Sequence, residues 1–254
     1  MALVDELGLQ IPADFPVRNL STAISANDEM FDSSYHYLLV GASAHQNITE
    51  AVQAAGLAEV STILDLPCGH GRVTRILRAA YPAAKISVSD LNLDGVAFCA
   101  REFDAEPLTS DADFSKLDFG KTFDLIWVGS LITHLPEPAA ADFIGFLARH
   151  LSPRGVAVAT SHGQFSIDRL TTLGGQCYGL PHESAQDIID AYKTHGFGYA
   201  DYSRDDPYGQ SYGISASAPA WVMTAIAKAG GRVLFYKSQA WDTHQDVTAF
   251  ALIG

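Results

Sequence analysis

Two aspartates, a pair of glycines between them and two histidines further along are the residues whose types and spacing carry chemistry in this chain. Asp65 is followed by Gly69 and Gly71 in the run TILDLPCGHGR, Thr62 to Arg72, and Asp90 comes about twenty residues later. Glycines remove side chains where backbone must approach a ligand closely. A helix starting behind them offers unpaired N–H groups. An acid at the tip of a second strand accepts hydrogen bonds from both ribose hydroxyls of an adenosine ligand. The competing role for Asp90 is a helix N-cap, and one carboxylate can serve both. His134 and His162 follow the fourth and fifth strand-like runs. An imidazole titrates near working pH, so each is a candidate general base, while His134 pinning its own loop to backbone is the plainer reading.

The elements that must position these groups alternate. Thr62 to Leu66 reads as a short buried strand, and Val73, Ile76, Leu77 and Ala80 lie at the spacing of one helical face. Further strands are expected at Lys85–Ser89, Pro107–Ser110, Phe123–Val128 and Gly155–Thr160, with helices at Leu93–Phe103 and from near Pro138 to about Leu151. Asp28 to Gly56 reads as helix in one or two pieces, Ser43 capping the second, and as a cover on the sheet. A helix at Ala220–Ala229 precedes two strands, Gly231–Tyr236 and Asp246–Leu252, close enough to pair antiparallel.

The pattern D-x-x-x-G-x-G, Asp65 to Gly71, resembles the first motif of the class I S-adenosylmethionine-dependent methyltransferases. Thr74 stands where a dinucleotide fingerprint keeps its third glycine, which disfavours a nicotinamide cofactor. Asp90 by itself does not choose between the two ligands. Ser110-Asp111-Ala112 matches the family run that meets the adenine amino group, and F-D-L-I-x-x-x-S-L-x-T-H-L, from Phe123, resembles its fourth motif. The resemblance implies an α/β fold: a doubly wound, mostly parallel seven-stranded sheet with a C-terminal antiparallel hairpin, an N-terminal helical cover (1–59) and a methyltransferase domain (60–254). It implies S-adenosyl-L-methionine against Asp65, Leu66, Pro67, Cys68, Gly69, Gly71 and Arg72, then Asp90 and Leu91, Asp111 and Ala112, and Gly129 and Ser130. The reaction implied is methyl transfer to a small molecule, leaning to oxygen because Gly129-Ser130-Leu131-Ile132 replaces the N-P-P-Y run of amine methylators. The alternatives are a catalytically silent partner protein on the same fold and, behind it, a nicotinamide oxidoreductase.

An insertion, 163–217, interrupts the alternation. It holds a helix near Glu183–His195, two strand-like runs, Gly198–Arg204 and Gln210–Ser215, and six of the ten tyrosines, Tyr208 among them. Tyr178, Tyr199, Tyr202 and Tyr212, with Trp241 from the terminal hairpin, are the candidate acceptor wall. His182, Tyr212, Trp241 and His244 are weaker candidates for the base. The same tyrosines suit a homodimer contact, which leaves the oligomeric state open. Net charge of −13, with no basic cluster beyond Arg72, Arg75 and Arg78, argues against nucleic acid or an anionic membrane as partner. Three cysteines without a C-x-x-C point to reduced thiols and a cytoplasmic setting. The N-terminal run reads without a signal sequence, no segment approaches transmembrane length, and no H-x-x-x-H suggests a metal.

Overall fold

A computed structural model describes residues 16, 19–202 and 212–254. Tyr208 and the expected strand ends Arg204 and Gln210 lie outside them, as does the side chain of His182. The main sheet has seven strands: β1 (Thr62–Asp65), β2 (Lys85–Asp90), β3 (Glu106–Thr109), β4 (Phe123–Val128), β5 (Leu151–Ser161), and the terminal pair β8 (Gly231–Trp241) and β9 (Gln245–Leu252). Their order is β3-β2-β1-β4-β5-β9-β8. The first five run parallel, and β9 enters antiparallel between β5 and β8. The expected sheet and its terminal hairpin are both present.

Seven helices accompany it among the described residues: α1 (Ser34–Ala55), α2 (Thr74–Ala80), α3 (Leu93–Phe103), α4 (Glu137–His150), α5 (Gln164–Leu173), α6 (His182–His195) and α7 (Pro219–Lys228). Alternate residues of one strand feed opposite cores. Trp127 of β4 packs with α1, α2 and α3, whereas its neighbour Ile126 packs with α4 and α7. β1 is hydrogen-bonded on both edges, so its short apolar run is buried as a central parallel strand requires. Its C-terminal end, with those of β2 and β4, opens at the reversal of strand order, where ligands of open α/β sheets bind.

Several expectations need local correction. α1 is a single helix capped by Ser33, whose side chain accepts from the N–H of His36, and it ends at Gly56 in the left-handed region. Ser43 therefore lies mid-helix; its hydroxyl donates to the carbonyl of Ala240 and ties α1 to β8. Asp90 is not the N-cap of α3. Asn92 is, and Asp90 accepts from the N–H of Asn92. β5 starts four residues early because its register on β4 slips at the Ser152-Pro153-Arg154 bulge, where proline has no N–H for the ladder. In the insertion, β6 (Phe197–Asp201) and β7 (Gly213–Ser217) form a separate antiparallel ribbon. α5 and a 3₁₀ turn, Gly175–Tyr178, were not anticipated.

Candidate functional site

A cavity of about 220 Å³ opens at the carboxyl ends of β1, β2 and β4. Asp65, Pro67, Cys68, Gly69, Arg72 and Asp90 line one side; Gly129, Ser130, His134, Tyr212 and Trp241 line the other.

The turn after β1 is held by its neighbours. The N–H of Leu66 donates to Trp127 O, that of Cys68 to Ser89 O and that of Gly71 to Cys68 O. The two glycines differ in purpose. Gly69 has φ 48°, and a Cβ there would meet no atom within 4 Å, so its bareness leaves space. Gly71 has φ 82°, and a Cβ would lie 2.3 Å from the Phe103 ring; this glycine lets α3 pack against the turn. The second glycine thus serves packing rather than a ligand.

Asp65 is 1 % exposed and accepts from Thr74 Oγ1 at 2.6 Å. Burial, with the nearby charge of Asp90 and against the Thr74 bond, pushes its carboxyl up to about 7. Thr74, which reads in the sequence only as a missing glycine, fixes the acid of the motif. Asp90 accepts from the N–H groups of Gly69 and Asn92, both at 2.8 Å, one on each oxygen. A carboxylate offers about four acceptor sites, so two remain. The Arg72 guanidinium lies between two rings, 5.9 Å from Tyr37 and 5.6 Å from Trp241, with no carboxylate within 4 Å among the described residues. Burial lowers its pKa, partly offset by Tyr37 and by Asp242, Asp28 and Asp32.

His134 ends a 3₁₀ turn after β4 and stacks on Tyr212 at 4.7 Å. Its Nδ1 lies 2.8 Å from Gly213 O. A carbonyl only accepts, so Nδ1 carries the proton and Nε2 keeps its lone pair. Burial lowers the pKa of this ring. His162 is placed differently: 4 % exposed, Nδ1 on Ser215 O at 3.1 Å, outside the cavity wall. Burial, with His244 and His134 close by, takes its pKa down to about 3.

Of the tyrosine wall, Tyr212 and Trp241 line the cavity, and Tyr202 stands behind, 5.8 Å from Tyr212 and 6.2 Å from His134. Tyr199 donates to Asp201 and packs against the α4–α7 core; Tyr178 bonds His244. Neither lines the cavity, nor do Leu66, Gly71, Leu91, Asp111 or Ala112. Asp28, Met30, His70, Val73 and Trp127 line it without having been anticipated. Asp28 arrives by accepting from Tyr37 Oη at 2.6 Å, and His70 Nε2 sits 3.1 Å from Asp94. Such long-range pairs leave no local pattern.

Residues 63–155 match the family model of the methyltransferase domain. This stretch is a methyltransferase domain. A malonyl-[acyl-carrier protein] O-methyltransferase of Anoxybacillus flavithermus is 24 % identical over 132 residues, 52 % of this chain and 50 % of the relative. The chain thus spans about half the length of that relative. Among solved structures, an S-adenosylmethionine-dependent methyltransferase of Clostridium acetobutylicum superposes with a TM-score of 0.59 at 16 % identity, covering 84 % of this chain and 92 % of that one. An amino pentose methyltransferase from Micromonospora echinaspora, solved with S-adenosylmethionine bound, gives 0.59 at 15 %, covering 91 % and 100 %. At these identities the structural likeness establishes the fold.

The cavity's chemistry fits S-adenosyl-L-methionine, the molecule bound in the Micromonospora echinaspora structure. Asp65 is a buried carboxylate with a single hydrogen bond, matching an ammonium. Arg72 is a cation without a paired acid, matching a carboxylate. Asp90 has unused acceptor sites for hydroxyls. No helix among the described residues is long and apolar enough to cross a membrane.

Proposed function

We propose that the protein transfers a methyl group from S-adenosylmethionine to an oxygen of a small organic acceptor, of saccharide or secondary-metabolite type. The observation that carries the oxygen assignment is His134. It is a neutral imidazole whose Nδ1–H is spent on Gly213 O, leaving Nε2 basic on a residue that lines the cavity. A hydroxyl gains from proton removal as it attacks, and a base at this position takes that proton.

When bound, the cofactor supplies an activated methyl on a sulfonium. The chain's own residues do the rest. Asp90 takes the ribose hydroxyls, Asp65 the ammonium and Arg72 the carboxylate; Cys68, Gly69 and Pro67 form the floor. Gly129 and Ser130 continue the wall towards His134. A Cβ on Gly129 would stand 3.0 Å from Trp241, so that glycine keeps β4's end closed against the hairpin. The insertion, 163–217, closes the acceptor side through Tyr212 and Tyr202, and the 1–59 segment covers the cofactor side through Asp28 and Met30. Holding the reactants in line and close supplies much of the acceleration. Leu91, Asp111 and Ala112 belong to the adenine side in this reading. Tyr199 supports the insertion rather than the cavity, and Tyr178 lies beside the cavity against His162 and His244. His162, which follows β5, is a structural ring that ties that strand's end to β7 through Ser215 O.

Three free cysteines suit a reducing cytoplasm, and net charge of −13 suits a small molecule rather than nucleic acid. A silent partner protein would have no need of Asp65, Gly69, Arg72 and Asp90 together in one cavity. The test is transfer of labelled methyl from S-adenosylmethionine into a panel of sugars, phenols and amines. Labelling confined to nitrogen products sinks the oxygen assignment, and tight NADH binding with none of S-adenosylhomocysteine sinks the whole reading.

A further inference from the structure

Beside the cavity lies a second polar cluster that the methyl transfer described above does not use. It is built from α5, the 3₁₀ turn and the β8–β9 turn. Tyr178 Oη lies 2.8 Å from His244 Nε2. The His162 ring is 5.0 Å from Tyr178 and 5.3 Å from His244, and Phe165 is 5.4 Å from His244. Over these rings sits Arg169, its guanidinium 5.9 Å from Phe165 and 5.8 Å from Tyr178.

Arg169, like Arg72, lacks a paired acid: among the described residues no carboxylate comes within 4 Å of it, and its Nε is buried with no hydrogen-bond partner. A buried donor on a cation without a counter-charge costs free energy unless a ligand supplies the acceptor. The adjacent imidazoles do not compete for that acceptor, since His162 is neutral through burial and the charges around it, and burial and Arg169 lower the pKa of His244.

The cluster is continuous with the cavity. Gln245, next to His244, donates to the cavity residue Ser130 and accepts from Thr160. Trp241 lines the cavity only three residues before His244, at most about 10 Å of chain. His134 and Arg169 both lie close enough to His162 to hold its pKa down.

We propose that Arg169, with Tyr178 and His244 beside it, is the specificity-determining end of the acceptor site and receives a carboxylate on the acceptor molecule. The inference rests on the methyltransferase reading, since the methylated atom would sit at His134. One cation matches one negative charge. A guanidinium edge presents N–H donors in the plane that a two-oxygen carboxylate meets, and the surrounding rings favour a flat, aromatic body. In a chain of net charge −13 such a local cation is what admits an anionic acceptor.

The probes are benzoate and its neutral isostere benzamide, titrated by calorimetry into the full chain with and without saturating S-adenosylhomocysteine. The signals of Tyr178 and His244 are followed by NMR. Benzoate is expected to bind at least about tenfold more tightly than benzamide and to shift both rings. Arg169→Gln should erase that preference while changing S-adenosylhomocysteine affinity less than about twofold. Equal binding of the two probes, no binding of benzoate, or an undiminished preference in Arg169→Gln overturns the inference. Failure of S-adenosylhomocysteine to bind would instead strike the methyltransferase reading, and the cofactor-free benzoate arm still decides the carboxylate site.

Discussion

Asp65→Asn should make the cofactor-free protein more stable while weakening its cofactor affinity. The Asp65 carboxyl is 1 % exposed and is raised from 3.8 to about 7, first by burial and then by Asp90. The native state therefore holds a proton that the unfolded state releases between those two values. For an acid with a raised folded pKa, stability falls as pH rises from 3.8 towards 7 and then levels off. The full difference is about 4 kcal/mol against the ionised form. Because the side chain is enclosed, solvent screening takes little from it. Asparagine keeps the shape and still accepts from Thr74 Oγ1, but carries no charge. The variant's advantage should thus be about 1–2 kcal/mol at pH 5 and about 4 kcal/mol at pH 8. For a chain of this length that is roughly 8–16 °C in melting temperature at pH 8, and less than half of that at pH 5. Differential scanning calorimetry at both pH values reads it directly. Calorimetry with S-adenosylhomocysteine should show affinity lower by at least about tenfold, as expected for a lost charged partner. Identical melting of variant and parent at pH 5 and pH 8 would refute the argument that this carboxylate is held buried against its own ionisation.

Further outcomes are expected. Asp90→Ala should weaken S-adenosylhomocysteine by about 1.5–3 kcal/mol, roughly 10–150-fold, read by calorimetry. His134→Ala should lower kcat at least about a hundredfold with cofactor affinity changed less than about threefold. The active form is the neutral ring and burial lowers its pKa, so the parent's rate should rise with pH below 6.5 and be flat above neutrality; His162→Ala should leave that rising limb in place. Gly71→Ala should destabilise the protein rather than act on the ligand directly, since its Cβ would overlap the Phe103 ring and its φ is positive; retained melting temperature with lost binding would contradict this. Tyr212→Ala should raise the acceptor KM, whereas Tyr199→Ala should not, because Tyr199 lies against the α4–α7 core.

The sequence alone determined the layered architecture, because a parallel sheet writes itself as buried apolar runs alternating with helical faces. β2 and β4 start where their runs start, and the acids and glycines of the turn sit at strand ends, where spacing along the chain translates directly into spacing in space. It also determined that Asp65, Gly69 and Asp90 converge, since neighbouring parallel strands bring their ends together. What only the tertiary structure decided are contacts between residues far apart in sequence. Thr74 as the partner of Asp65 is visible only once α2 turns back over β1. That His134 and His162, alike in the sequence, part company is a matter of burial and of which β7 carbonyl each ring meets, Gly213 for one and Ser215 for the other. The tyrosines of the insertion divided for the same reason. A short ribbon has two faces, and composition does not say which face meets the cavity and which meets the core.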